Sequence, residues 1–163
     1  MVYSPQAVAN AFLDRGDDAF QQISPMKIQK LVYYAHGWHL AIENGPLISE
    51  PVCAWQYGPV IESLYRDFRE FSGTYIRGRA SILRRAGDGD LELYDPMVPE
   101  VVSPLIARIW EEYSMFTATQ LSSMTHEEGT PWHQVASRYG DRLPLGLTIP
   151  NEIIREYFLG LAA

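Results

Sequence analysis

The sequence predicts a mainly α fold. It is read as a single compact domain of about seven helices around a buried central helix (25–43), with a small β element near 52–57 and 74–95. Three observations carry this. Ser-Pro and Thr-Pro pairs stand directly ahead of apolar stripes with helical spacing. The stretch 25–43 is apolar over most of its circumference, as a helix covered on all sides must be. Only 72–96 combines a Gly-Asp-Gly turn with β-capable flanks.

The first helix starts at Ser4-Pro5, with Val8, Ala11 and Phe12 as its stripe, and ends around Gly16 or a little beyond. The second starts at Ser24-Pro25. Spaced at 100° per residue from Ile28, its stripe is Ile28, Leu31, Val32, Ala35, His39 and Ile42, with Trp38 and His36 flanking it and Tyr33 and Gly37 toward the other face. Asn44-Gly45-Pro46 stops it. Val52 to Tyr57 reads as a short strand. Gly58-Pro59 then turns the chain into a third helix, with Val60, Ile61, Leu64, Tyr65 and Phe68 in helical spacing. After the hairpin, a fourth helix runs from Pro99 to about Tyr113 through Val101, Val102, Leu105, Ile106, Ile109 and Trp110. Short helices follow from Thr117 and from Thr130-Pro131-Trp132, the latter to about Tyr139. Pro150 opens the last, with Ile153, Ile154, Tyr157, Phe158 and Leu161 on one face.

A chain of 163 residues fits one domain, 1–163, with enough core to need no disulfide or metal staple. Its 47% hydrophobic and 20% charged residues are ordinary for a globular protein. Cys53 is the only cysteine, which excludes an intramolecular disulfide and fits a reducing cytoplasm. The N-terminal stretch lacks the basic and apolar regions of a signal peptide, and no apolar run approaches the ~18 residues of a membrane span. A cytoplasmic location without membrane contact is the expectation. The net charge is −7, split between +4 over residues 66–85 and −11 elsewhere. An acidic chain without a basic recognition helix is a poor general binder of nucleic acid, so none is expected as partner. A basic protein suits it better.

Catalytic signals are weak. His36, His39 and Glu43 share one helix face, and an H-x-x-H pair can bind a transition metal. Yet His36 and Glu43 stand about 10 Å apart along the axis, so one ion does not reach all three. The plainer reading puts His39 in the core and His36 at its edge. Cys53 sits in the apolar stretch "PVCAW", which raises a thiol pKa and suits an inert packed cysteine. No nucleophile elbow or phosphate-binding glycine loop is present. No cofactor, metal or enzymatic activity is expected. Trp132 is either a binding anchor or a staple of its helix onto the core. Leu161-Ala162-Ala163 ends like the tag that bacterial AAA+ proteases select, or is a frayed helix end.

Four blocks together carry a resemblance: "ISPMKIQKLVYYAHGWHLA" (23–41), "EPVCAWQYGPVIESLY" (50–65), "LSSMTHEEGTPWHQV" (121–135) and "IPNEIIREYF" (149–158). In this order they resemble the Panacea domain of SocA-like and phage-associated GepA-like proteins. The resemblance implies an antitoxin that neutralises a cognate, nearby-encoded toxin by direct protein–protein binding. For some SocA-like members it also implies an adaptor delivering the toxin to a ClpXP-type protease, with a ClpX-type unfoldase as second partner. It supplies no catalytic residue. Leu31, Trp38, His39, Trp55, Gly58 and Pro59 are expected as structural core. Lys27, Gln29 and Lys30 lie off the stripe, at a surface or fixing the strand that follows. The candidate partner-binding residues are Lys27, Lys30, Tyr57, Arg77, Arg79, Arg84 and Trp132, with the hairpin 72–96 as the element that selects the partner. A metal-dependent enzyme using His36 and His39, and a phage-associated structural or interaction protein without a toxin, are the alternative readings.

Overall fold

Ser4 Oγ accepts the Ala7 N–H and Ser24 Oγ the Lys27 N–H, so both Ser-Pro pairs open helices as caps. The computed structural model describes all residues 1–163. Helix α1 spans Pro5–Asp18 and α2 spans Pro25–Glu43, which ends where Asn44 turns left-handed at φ 55°. Strands β1 (Val52–Trp55) and β2 (Gly58–Val60) form a tight hairpin, followed by α3 (Glu62–Phe68) and a 3-10 turn, Arg69–Phe71. The second hairpin is β3 (Ile82–Arg85) and β4 (Leu91–Tyr94). A 3-10 turn at Glu100–Val102 leads into α4 (Ser103–Tyr113), then α5 (Ala118–His126), α6 (Pro131–Ala136), β5 (Thr148–Ile149) and α7 (Asn151–Ala162). The fold is mainly α, with two small antiparallel sheets, β2-β1-β5 and β3-β4. No helix is long and apolar enough to cross a membrane.

Two helix starts differ from those the sequence predicts, and α6 ends at Ala136 instead of near Tyr139. Gly58-Pro59 does not turn the chain into a helix. Trp55 pairs with Gly58 across a two-residue turn, Cys53 pairs with Val60, and α3 begins only at Glu62. Gly58 has φ +114°, a conformation that a side chain disfavours, and this turn sets the hairpin. The expected helix from Pro99 begins as a separate 3-10 turn, which leaves Val101 78% exposed instead of on the apolar face. Strand β5 is two residues long and pairs with β1 from far along the chain, so no local pattern announces it.

Helix α2 is buried from Lys27 to Gly37 without interruption. α1, α3, α4, α5, α7 and strand β2 all pack on it. Phe158 of α7 is fully buried and sets its ring edge-to-face against Tyr33, Tyr34 and Trp38, with centroids 5.2–6.0 Å apart. Gly37 lies directly beneath this ring. A Cβ there would stand inside the van der Waals radius of three ring carbons. On the α4 side, Tyr34 stacks on Tyr113 at 4.0 Å, and Trp38 Nε1 donates to the Tyr113 hydroxyl at 2.9 Å.

The full enclosure reverses the expected roles of the two histidines. His36, placed by the stripe at its edge, is wholly buried. His39, expected in the core, is only half-buried and bonds the Gly45 carbonyl through Nδ1 at 2.7 Å. Ile42 is 65% exposed. The wheel assumes one covered side, whereas α7 covers the opposite one. The Leu47 N–H donates to His36 Nδ1, so the proton sits on Nε2 and is donated to Asn151 Oδ1 at 3.0 Å. Burial holds the imidazole pKa down from 6.5 to about 4; the Asn151 bond opposes this and nearby His39 adds to it.

The hairpin β3-β4 hangs from one buried side chain. Asn10 Nδ2 donates to the carbonyls of Ala80 and Pro96, and Asn10 Oδ1 accepts from the Ala80 N–H. Both ends of the excursion are thus tied to α1.

Two outcomes follow for stability. Gly37→Ala should cost about 1–3 kcal/mol from overpacking against Phe158, outweighing a helix-propensity gain of at most about 1 kcal/mol. A urea midpoint unchanged or raised would contradict this contact. For His36, the unfolded chain binds a proton near pH 6.5 that the folded chain refuses until about 4. Stability should therefore fall as pH drops from 6.5 toward 4, by at most about 1.4 kcal/mol per pH unit. Urea titrations over that window should show a slope that His36→Gln flattens.

Candidate functional site

Four polar side chains enter the enclosed face of α2, and each fixes a piece of backbone. Gln29 is buried and grips Ile61 twice: its Oε1 accepts from the Ile61 N–H at 2.9 Å and its Nε2 donates to the Ile61 carbonyl at 3.0 Å. This pins the entry to α3. Lys30 donates to the carbonyls of Tyr57 and Pro59 at 3.3 and 3.2 Å, holding the β1-β2 turn. Lys27 donates to the Ser114 carbonyl at the end of α4. His36 is the fourth, as described above.

Lys27 and Lys30 are therefore not the surface residues expected of partner-binding lysines. They are 8% and 2% exposed, because their carbonyl partners lie far away in sequence and close over them. Burial lowers the Lys30 pKa to about 8 and lowers that of Lys27 as well. Of the two roles open to Lys27, Gln29 and Lys30, fixing the following segment describes Gln29 and Lys30.

These lysines nevertheless line a groove of about 870 Å³. Its walls are the start of α2, the β1-β2 turn, α3 with its 3-10 turn, the loop 72–75, and the α4–α5 connection 114–118. Large apolar side chains stand exposed around it: Tyr57 at 71%, Met115 at 76%, Met26 at 45%, Tyr65 and Tyr75 near half. Such a cluster on a concave surface is the usual mark of a binding site.

The other expected partner-binding residues divide. Tyr57 is exposed at the turn tip and reaches the groove. Trp132 does not stand free: Nε1 donates to the Trp55 carbonyl at 2.6 Å and the ring packs on His126 at 4.3 Å, so it staples α6 to β1. Arg79 joins Asp14 and Asp17 of α1 at 2.7 and 2.6 Å, which ties the chain before β3 to the body. Arg84 pairs with Glu92 and stacks on Tyr94 within the hairpin itself. Arg77 is exposed and lies over Phe71 at 5.7 Å. Arg77, Arg79 and Arg84 do not line the groove, and of the segment 72–96 only the lead-in to the hairpin, residues 72–75, reaches it.

Of the expected core residues, Leu31, Gly58 and Pro59 are buried; Trp38 is partly exposed and packed on the core, and Trp55 is partly exposed with its ring edge-to-face on Tyr65 at 4.9 Å. Sequence reasoning missed Met26, Tyr65, Tyr75 and Met115 of the rim. The signal available was Met115-Phe116 in a short helix connection, two large apolar residues where a polar turn is the rule.

No three His, Cys, Asp or Glu side chains converge as metal ligands. Both ring nitrogens of His36 are engaged by protein, which leaves none to bind an ion. The Cys53 thiol is pushed up to about 11 by burial and by Glu62, so it is not a nucleophile near neutral pH.

Gln29→Ala should destabilise the fold by roughly 1–3 kcal/mol, since the buried Ile61 N–H loses its acceptor, while the Ile61 carbonyl keeps the Tyr65 N–H as a donor. Chemical denaturation measures this. A loss below about 1 kcal/mol would mean that water replaces the side chain there.

Residues 28–133 match the family described as "Antitoxin SocA-like, Panacea domain". Over 153 residues the chain is 33% identical to Antitoxin SocA of Caulobacter vibrioides (strain NA1000 / CB15N), covering 94% of this chain and 81% of that one. No solved structure matches it. The match takes in most of α2 and every element through the start of α6, hence all the groove walls except the residues just before Ile28. By family and by relative, this chain belongs to the SocA-like antitoxins that carry the Panacea domain.

Proposed function

We propose that this antitoxin neutralises its toxin by binding it directly, with the groove between the start of α2, the β1-β2 turn and the α4–α5 connection as the contact surface. The observation that carries this is the exposed ring of Tyr57, Met115, Met26 and Tyr75 around a concave site of about 870 Å³. Aromatic and methionine side chains are enriched at protein interfaces, and a groove whose floor is tied to α2 is pre-organised to receive a partner. The reading needs no catalysis: the antitoxin acts by occupancy. The work takes place in the cytoplasm, where a lone buried thiol stays reduced.

A second step belongs to the same proposal. Resemblance to SocA-like members supports an adaptor role, in which the bound toxin is handed to a ClpXP-type protease through its ClpX unfoldase. Occlusion and delivery differ in the fate of the toxin after binding.

The test is co-expression with the adjacent open reading frame, following growth and co-purification. The neighbour alone should arrest growth; this chain should restore it and co-purify with it. Loss of the toxin only in cells that contain the protease supports delivery, and a toxin that persists in the complex supports occlusion alone. Met115→Asp, on an exposed side chain, should lower recovery of the complex at least tenfold while leaving the melting temperature within a few degrees. A neighbour harmless on its own, or rescue and co-purification unaffected by Met115→Asp, would contradict the proposal.

A further inference from the structure

The groove differs in charge from the rest of the molecule. The chain carries −7 overall, yet no Asp or Glu lines the groove. Its charged residues are Lys27, Lys30 and Arg69. None of these three enters any of the side-chain ion pairs, which belong to Arg79, Arg84 and Arg108. Lys27 gives one hydrogen to a protein carbonyl and Lys30 gives two, so each ammonium has donor capacity left.

Cations withdrawn from water are costly unless a counter-charge meets them. Here carbonyl dipoles hold them, and no carboxylate does. Their lowered proton affinity fits that setting. Beside them, Gln21 Nε2 donates to the same Ser114 carbonyl that Lys27 holds. The floor of the groove thus offers positive donors, and the rim offers apolar side chains.

We infer that the groove recognises a peptide segment of the partner protein in which an Asp or Glu side chain stands next to a large apolar residue. The carboxylate meets Lys27 on the groove wall. The apolar neighbour packs on Met26, Tyr57 and Met115. A segment without a negative charge would leave the cations unmatched, and a free anion would leave the apolar rim unused. The inference rests on the groove being the toxin-binding surface, and adds what the toxin must present there.

The experiment uses the full chain and its co-purifying toxin. Dissociation constants are measured for wild type, Lys27→Met, Lys27→Arg and Met115→Asp, with melting temperatures as the check on folding. Lys27→Met keeps the stem and removes the charge, and should weaken the complex at least tenfold. Lys27→Arg should stay within about threefold of wild type. Each Asp and Glu of the toxin is then changed to its amide. One such change should weaken the wild-type complex about as much as Lys27→Met does, and add almost nothing in that variant's presence. If Met115→Asp breaks the complex while Lys27→Met binds within threefold of wild type, the groove is the interface and the carboxylate inference is overturned. If no toxin carboxylate couples to Lys27, it is likewise overturned. If neither variant weakens binding, the groove reading itself fails.

Discussion

From Lys27 to Gly37, helix α2 has no face left for water, and most of the molecule follows from that constraint. An enclosed helix cannot carry an unmatched polar group without cost, so each polar residue on it must find a partner on a neighbour. Gln29 takes both backbone groups of Ile61, Lys30 takes the turn between β1 and β2, Lys27 takes the end of α4, and His36 joins Leu47 to the start of α7. These bonds fix five segments in direction as well as in place, which apolar packing alone does not. The groove lies where three of the fixed segments meet.

Much of this scaffold can be read in the chain because its signals are local. Ser24-Pro25 and Asn44 bracket α2 at the expected residues, since capping and left-handed stops depend on a few neighbouring atoms. The seven helices and the Gly-Asp-Gly hairpin are legible for the same reason. What escapes is non-local. An apolar stripe locates one buried side, but α7 covers a second one, which exchanges the environments of His36 and His39. Strand β2 forms from Gly-Pro-Val because β1 and a positive-φ glycine demand it. Lysines read as solvent-facing by default. Lys27 and Lys30 depart from that default because their acceptors arrive from 27 to 87 residues away. Of the rim only Tyr57 is expected from the sequence; the rest escapes for the same reason, its members being scattered from Met26 to Met115.

The division between scaffold and surface has a functional meaning. Side chains resembling a catalytic set are spent on structure: His36 is locked neutral between two partners, and the Cys53 thiol is held protonated. The arginines that seem suited to an anion are mostly engaged, Arg79 on α1 and Arg84 within its own hairpin. That hairpin, anchored at both ends by Asn10 and before β3 also by Arg79, turns Leu83, Leu91 and Leu93 outward. It can vary without disturbing α2, whereas the groove cannot. A family whose members share the α2 scaffold would keep the groove's floor constant and tune partners at its rim and in the adjoining loop 72–75.

Hydrogen–deuterium exchange on the antitoxin, free and bound to its toxin, tests the groove as the binding surface most directly. Amides of α2 are already buried, so the informative segments are the turn 56–58, the loop 72–75 and the connection 114–118. Binding at the groove predicts slower exchange in all three, with β3-β4 and the exposed face of α7 unchanged. Protection confined to β3-β4 or α7, with those three segments exchanging as in the free protein, would contradict it.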